Sequence, residues 1–168
     1  MVQDLIMDKR IVELIGRNRL IDELLRAGLE VAVPTRDRGV DLIAYVELKS
    51  LATKFIARPI QMKAASAESF SIDRKYAKVH GLILAFVWHV QDRDRTVAYA
   101  LSYPEALAIG RAEGWTKTPS LHEGSYTMTH PSQKLKERLR RYQMTPDKWW
   151  RKITGSAKPS MRVSSTVK

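Results

Sequence analysis

The chain has 168 residues, 44% of them hydrophobic, with 29 Lys+Arg against 18 Asp+Glu and no cysteine. This length suits one domain with a small appendage and is enough to bury a core without staples. The composition excludes wholesale disorder, a disulfide framework, a thiolate zinc site and a cysteine nucleophile.

The first eight residues carry two acids and no basic run, so no signal peptide is expected. Asp8 to Ala27 reads as an amphipathic helix, with Ile11, Leu14, Ile15, Ile21, Leu24 and Leu25 near helical spacing and Gly28 as its stop. Glu30 to Val33 is a short strand ended by Pro34, and Thr35 to Gly39 is a polar turn. Val40 to Val46, apolar and β-branched, predicts a strand buried on both faces. Glu47 to Lys54 reads as a loop. Phe55 to Lys63 is the next strand, with Pro59 marking an irregular or edge position.

Ala64 to Lys78 shows no decisive pattern. Gly81 to Trp88 is the clearest strand, and it is far too short to span a membrane. Thr96 to Leu101 is a further strand. A helix follows over Tyr103 to Glu113, with Pro104 in its first turn. Ser132 caps a basic helix over 133–142, and Thr145-Pro146-Asp147 opens another. The expected fold is α/β: a mixed β-sheet flanked by helices, in a cytoplasmic, non-membrane protein.

The charge is uneven. Residues 134–168 hold eleven Lys/Arg and two acids, +9 of the total +11. This divides the chain into an α/β domain over 1–130, a basic helical arm over 131–154 and a disordered tail over 155–168. A basic arm bearing Tyr142, Trp149 and Trp150 suits a polyanion, because Lys and Arg release the counterions condensed on phosphates. The other reading is a solvated tail that keeps the protein soluble. Trp115, Trp149 and Trp150 are expected to pack rather than stack on bases. The four histidines lack His-x-x-x-His spacing, which argues against a zinc hydrolase site.

Chemistry concentrates in Gly39-Val40-Asp41 and, twenty residues on, Gln61-Met62-Lys63. If strands 40–46 and 55–63 form an antiparallel hairpin, opposed residues sum to about 102, so Asp41 faces Gln61. The two-residue strand period then puts Gln61 and Lys63 on one face and buries Met62 on the other. A carboxylate, an amide oxygen and an ammonium meet at one end of the hairpin. Such a cluster suits Mg²⁺, which prefers oxygen ligands, with the lysine orienting or deprotonating an attacking water.

This arrangement resembles the PD-(D/E)XK nuclease superfamily. The match rests on Asp41 after Gly39-Val40 and on the Gln61-Met62-Lys63 triplet, an amide variant similar to that of Mrr-like and Holliday-junction-resolvase-like members. It extends to the preceding helix with Glu13 and covers residues 8 to 90. The resemblance implies a restriction-endonuclease-like fold and metal-dependent hydrolysis of DNA phosphodiesters. Asp41, Gln61, Glu13 and the Met62 backbone carbonyl would hold Mg²⁺ or Mn²⁺, and Lys63 would activate water.

Two departures stand out: Val40 replaces the usual proline, and Gln61 replaces the commoner acid, which weakens Mg²⁺ binding. An inactive DNA-binding relative with the same fold is therefore the alternative. For Glu13, an i,i+4 pair with Arg17 is the competing explanation. Glu47-Leu48-Lys49 spells the triplet better. On an unbroken strand, however, Glu47 would lie roughly 20 Å from Asp41, too far to share an ion.

Residues expected to meet DNA are Arg36 and Arg38 beside the site, Lys75, and Arg140, Arg141, Lys148, Arg151 and Lys152 on the arm. Cutting both strands of a duplex favours a homodimer, since two strands need two sites.

Overall fold

A computed structural model describes residues 8–36, 38–46 and 55–158. Helix α1 spans Lys9–Arg26, with the Asp8 side chain capping its first turn and Gly28, at φ +86°, turning the chain after its end. Strands β1 (Glu30–Ala32), β2 (Leu42–Tyr45) and β3 (Ala57–Ala64) follow, then β4 (Phe70–Asp73), a 3₁₀ turn over Arg74–Lys78, β5 (Ile83–Trp88) and β6 (Val97–Ser102). Helices α2 (Tyr103–Ala112) and α3 (Pro119–Glu123), strand β7 (Ser125–Met128), and helices α4 (Gln133–Leu139) and α5 (Pro146–Thr154) complete the described chain.

The main sheet runs β1-β2-β3-β5-β6, with β3 and β5 parallel and the other neighbours antiparallel. The chain is thus a mixed α/β protein with a five-stranded mixed sheet flanked by helices. On one face α1 and α5 cover Leu42, Ile60, Met62, Ala85 and Val87. On the other, Leu84, Phe86, Trp88 and Leu101 pack beneath Phe70 and Ile72, Ile109 of α2, and Leu135 and Leu139 of α4. All six residues of β5 are buried, which explains its unbroken apolar run. β2 alternates buried and half-buried positions, so only one of its faces is fully covered.

β3 pairs with β2 over Ala57–Ile60 and with β5 over Ile60–Ala64. Pro59 therefore lies where β3 has a partner on one side only, a place where its missing N–H breaks no ladder bond. The two-stranded sheet β4–β7 and helix α3 come from segments in which the sequence shows no regular pattern.

The basic C-terminal helices bury their apolar stripes. Leu135 and Leu139 lie in one core, and Trp149 and Ile153 in the other. Trp149 Nε1 donates to Glu23 Oε2 of α1 at 2.8 Å. Of the expected tail, residues 155–158 are described, and Lys158 Nζ lies beside Gly28; 159–168 lie outside the described residues, as do Glu47, Lys49 and the rest of residues 47–54, where a loop is expected. Among the described residues, no helix is long and apolar enough to cross a membrane.

Candidate functional site

The β2–β3 hairpin has the register expected of it: Leu42 opposes Ile60, and the Asp41 N–H donates to the Ile60 carbonyl at 2.9 Å. Asp41 and Gln61 thereby meet across the strands. Among the described residues they are the two buried polar side chains, each 7% exposed. Asp41 Oδ2 accepts from the Met62 N–H and from Gln61 Nε2, both at 2.6 Å. Gln61 Nε2 also donates to the Met62 carbonyl at 3.2 Å, while its Oε1 lies toward Gly39, which the Tyr76 ring also approaches. Met62 turns its side chain into the core under α1, as the strand period requires.

As the structure stands, the Gln61 Nε2 group fills the space between Asp41 Oδ2 and the Met62 carbonyl, so these residues suit a hard cation only with the amide turned over. The two ends of a glutamine amide differ only in which can donate. A half-turn of the Gln61 amide would bring Oε1 against the two oxygens, Asp41 Oδ2 and Met62 O, that its Nε2 now bridges. Three converging oxygens repel unless a cation sits among them, and an oxygen-preferring divalent ion matches that set. Among the described residues, no three acidic or histidine side chains cluster around a point. The charge available here is thus one carboxylate supported by two neutral oxygens.

A cleft of about 250 Å³ opens onto this cluster and is lined by Lys9, Glu13, Asp41, Gln61, Met62, Lys63 and Ala64. Glu13 is brought there by the packing of α1 on β3. A Cβ at Gly16 would overlap that of Ala64, so α1 approaches the strand closely only because residue 16 is glycine. Glu13 lies one turn before that contact and also pairs with Arg17 Nη2 at 3.2 Å. Glu13 thus lines the cleft and bridges to Arg17 at the same time.

Lys63 is solvent-exposed, with Nζ 5.9 Å from the Tyr76 ring centroid. Lys75 Nζ approaches the same ring at 4.9 Å and pairs with Asp73 at 3.1 Å, a contact that raises its pKa. Tyr76 thus puts a buried aromatic ring against two lysines beside the cleft. The sequence reading missed Lys9; its signal was its place one helical turn before Glu13.

The other expected DNA-contact residues divide into groups. Arg36 and Arg38 are exposed in the turn before Asp41. Arg141, Lys148, Arg151 and Lys152 line a separate cleft of about 350 Å³ with Ala100, Glu105, Tyr142 and Met144. Arg140 begins the 3₁₀ turn beside it. Arg141 lies over the Tyr142 ring at 5.5 Å, and Lys148 Nζ donates to the Gln143 carbonyl at 2.9 Å. Lys152 pairs with Glu105 at 2.7 Å. Burial pushes the Glu105 carboxyl upward, but Lys152 and the Ser102 backbone and hydroxyl outweigh it and hold the pKa below the usual value. Part of the basic charge is therefore neutralised within the fold, and the rest is displayed.

Comparison of the chain with known protein families, curated proteins and solved structures finds no match.

Proposed function

We propose that this chain is a metal-dependent DNA endonuclease. The observation that carries this reading is the meeting of Asp41, the Gln61 amide and the Met62 carbonyl at the mouth of one cleft, with Lys63 and Glu13 on its walls. The resemblance to the PD-(D/E)XK superfamily, in its Gln-x-Lys form, rests on these same residues and supports the same reading.

Asp41, the Gln61 carbonyl oxygen, the Met62 carbonyl and Glu13 would hold Mg²⁺ or Mn²⁺. When bound, the ion supplies charge stabilisation at the scissile phosphate. Lys63, one strand period beyond Gln61 on the same face, orients a water for in-line attack and accepts its proton when deprotonated. Arg36, Arg38 and Lys75 flank the cleft and hold the phosphate backbone. The cleft lined by Arg141, Lys148, Arg151 and Lys152 offers a second stretch of backbone contact, which positions a strand without reading its bases.

The test is nicking of supercoiled plasmid with Mg²⁺ or Mn²⁺, wild type beside Lys63→Ala and Asp41→Asn. Wild type is expected to nick, and Lys63→Ala to lose at least ~10²-fold, the scale of a positioned proton-transfer group. Salt-dependent DNA binding with no metal-dependent nicking by wild type would instead identify an inactive DNA-binding protein that retains the site's geometry.

A further inference from the structure

Helix α1 carries two stripes. Val12, Gly16, Leu20 and Leu24 face the sheet and are buried. Ile11, Leu14, Asn18, Ile21 and Leu25 form the second, spaced by three, four, three and four residues, with Ile21 half-buried at its edge against the same core. At 3.6 residues per turn these five fall within an arc of about 80°, centred roughly 160° from the buried stripe. Ile11, Leu14 and Leu25 are 44%, 50% and 50% exposed, among the most exposed large hydrophobics described. An amphipathic helix with one core should turn its polar face outward; this one turns a second apolar seam outward, with the heptad spacing of helices that pair with helices.

We propose that this seam pairs with the same seam of a second copy of the chain, the two α1 helices lying parallel across a two-fold axis. Ile11, Asn18 and Leu25 take the a positions of the heptad, and Leu14 and Ile21 the d positions. The orientation follows from Asn18. In a parallel pair, each a residue meets its own copy, so the two Asn18 amides bond each other. In an antiparallel pair, a meets d, which sets each amide against Leu14 or Ile21 and leaves it unpaired. A single asparagine at an a position is the usual device that fixes a two-stranded register.

Charge points the same way. In a parallel pair the residue before a, Arg17, faces the residue five positions later on the other helix, Asp22; each already has a partner on its own helix, Glu13 and Arg26, so the two symmetric contacts would join existing ion pairs across the axis. The antiparallel register that sets Ile11 against Ile21 would put Arg17 against its own copy. The seam is short for an isolated coiled coil. Here, though, α1 is already held helical by the sheet, so pairing does not have to meet the cost of helix formation.

A parallel pair also has a consequence for the cleft. Lys9 and Glu13 line it from the N-terminal half of α1, so both clefts of the dimer lie toward the same end of the two-fold axis. The seam does not depend on the nuclease reading, and either can fail alone.

The experiment is sedimentation equilibrium of the full chain from about 1 to 200 µM, a range that brackets a micromolar Kd. Wild type should move from the monomer mass of 19.2 kDa toward twice that value. The Leu14→Glu, Leu25→Glu double variant, altered only at half-exposed positions and checked for folding by circular dichroism, should associate at least about 100-fold more weakly. Orientation is read from Ile11→Cys. The natural chain has no cysteine, so a short thiol–thiol cross-linker should give a covalent dimer of this variant. The antiparallel registers hold the two copies of residue 11 roughly 15–25 Å apart and out of its reach. A wild type that stays monomeric throughout, a double variant that associates like wild type, or a dimer that Ile11→Cys cannot cross-link would each overturn the proposal.

Discussion

Asp41 and Gln61 stand twenty residues apart in sequence and share a 2.6 Å hydrogen bond across the mouth of the β2–β3 hairpin. The same carboxylate oxygen accepts the Met62 N–H, so Asp41 is a structural acceptor as well as the one carboxylate of this cluster. Asp41→Ala would leave two buried donors without their partner, at a cost of about 1–3 kcal/mol. Asp41→Asn keeps an acceptor oxygen and is the better probe. It should stay folded and lose metal-dependent nicking. Calorimetry with Mn²⁺ checks the first link, and unchanged Mn²⁺ affinity in Asp41→Asn would remove this carboxylate as a ligand.

Gln61→Glu gives the opposite signal. It sets a second carboxylate against Asp41 in a buried site, where two like charges disfavour joint ionisation. The variant should melt below wild type in chelator, regain stability as Mn²⁺ is added, and bind the ion more tightly than wild type does, because a charged oxygen now stands in the ligand set. A melting temperature indifferent to Mn²⁺ would show that the two side chains do not share an ion.

The position of Glu13 depends on residue 16. Gly16→Ala drives a methyl group into Ala64, and overpacking of this kind costs about 1–3 kcal/mol. If α1 rides up from β3, Lys9 and Glu13 leave the cleft together, and nicking should fall by more than the loss of folded protein explains. Adding Ala64→Gly makes room again and should restore both stability and nicking, a non-additivity expected only of residues in contact. Denaturant unfolding beside plasmid nicking on the single and double variants is the measurement.

The hairpin was legible because its information is local. Two strands, a loop and a sum of about 102 put Asp41 opposite Gln61, and the unbroken apolar run of β5 announced a strand covered on both sides. What escaped was short or distant. Phe70–Asp73 and Ser125–Met128 are four residues each, too short to show alternation, and they find each other across more than fifty residues. Glu13 reaches the cleft through a Gly16–Ala64 approach that no spacing rule announces. The basic segment was legible as charge. Its attachment was not, because Trp149 is fixed by Glu23, 126 residues away.

The same segment sets the salt dependence of DNA binding. Arg140→Gln with Arg141→Gln, Arg151→Gln and Lys152→Gln removes four charges from around one cleft and spares Leu135, Leu139, Trp149 and Ile153. Lys152 is already paired with Glu105, so it should contribute less than the other three. Each phosphate that the variant no longer neutralises should flatten the slope of log K against log salt by ~0.9 on duplex DNA. Fluorescence anisotropy at several salt concentrations reads this slope. An unchanged slope would leave the arm as a solvated face and move the DNA path to Arg36, Arg38 and Lys75.

The bond that attaches the arm carries a cost of its own. Burial of Glu23 pushes its carboxyl pKa up; the Trp149 hydrogen bond opposes that shift without cancelling it, and the neighbouring Asp22 adds to it. A carboxyl whose pKa is higher in the folded than in the unfolded chain favours folding most when protonated. Its contribution is therefore fully present below the unfolded value and is lost as pH rises through the folded one. Above its raised pKa, Glu23 carries a charge in a place that prefers it neutral. Glu23→Gln retains an oxygen to accept from Trp149 Nε1 and removes that charge, so it should raise the melting temperature at pH 7. The gain should shrink as pH falls toward the ordinary glutamate range, where wild type becomes neutral as well. Glu23→Ala separates charge from hydrogen bond: it leaves Trp149 Nε1 buried without its acceptor and should destabilise at every pH. Thermal melts of the three proteins between about pH 4 and 8 distinguish the cases, and a Glu23→Gln protein less stable than wild type at pH 7 would show that the charged form of Glu23 is the one the fold prefers.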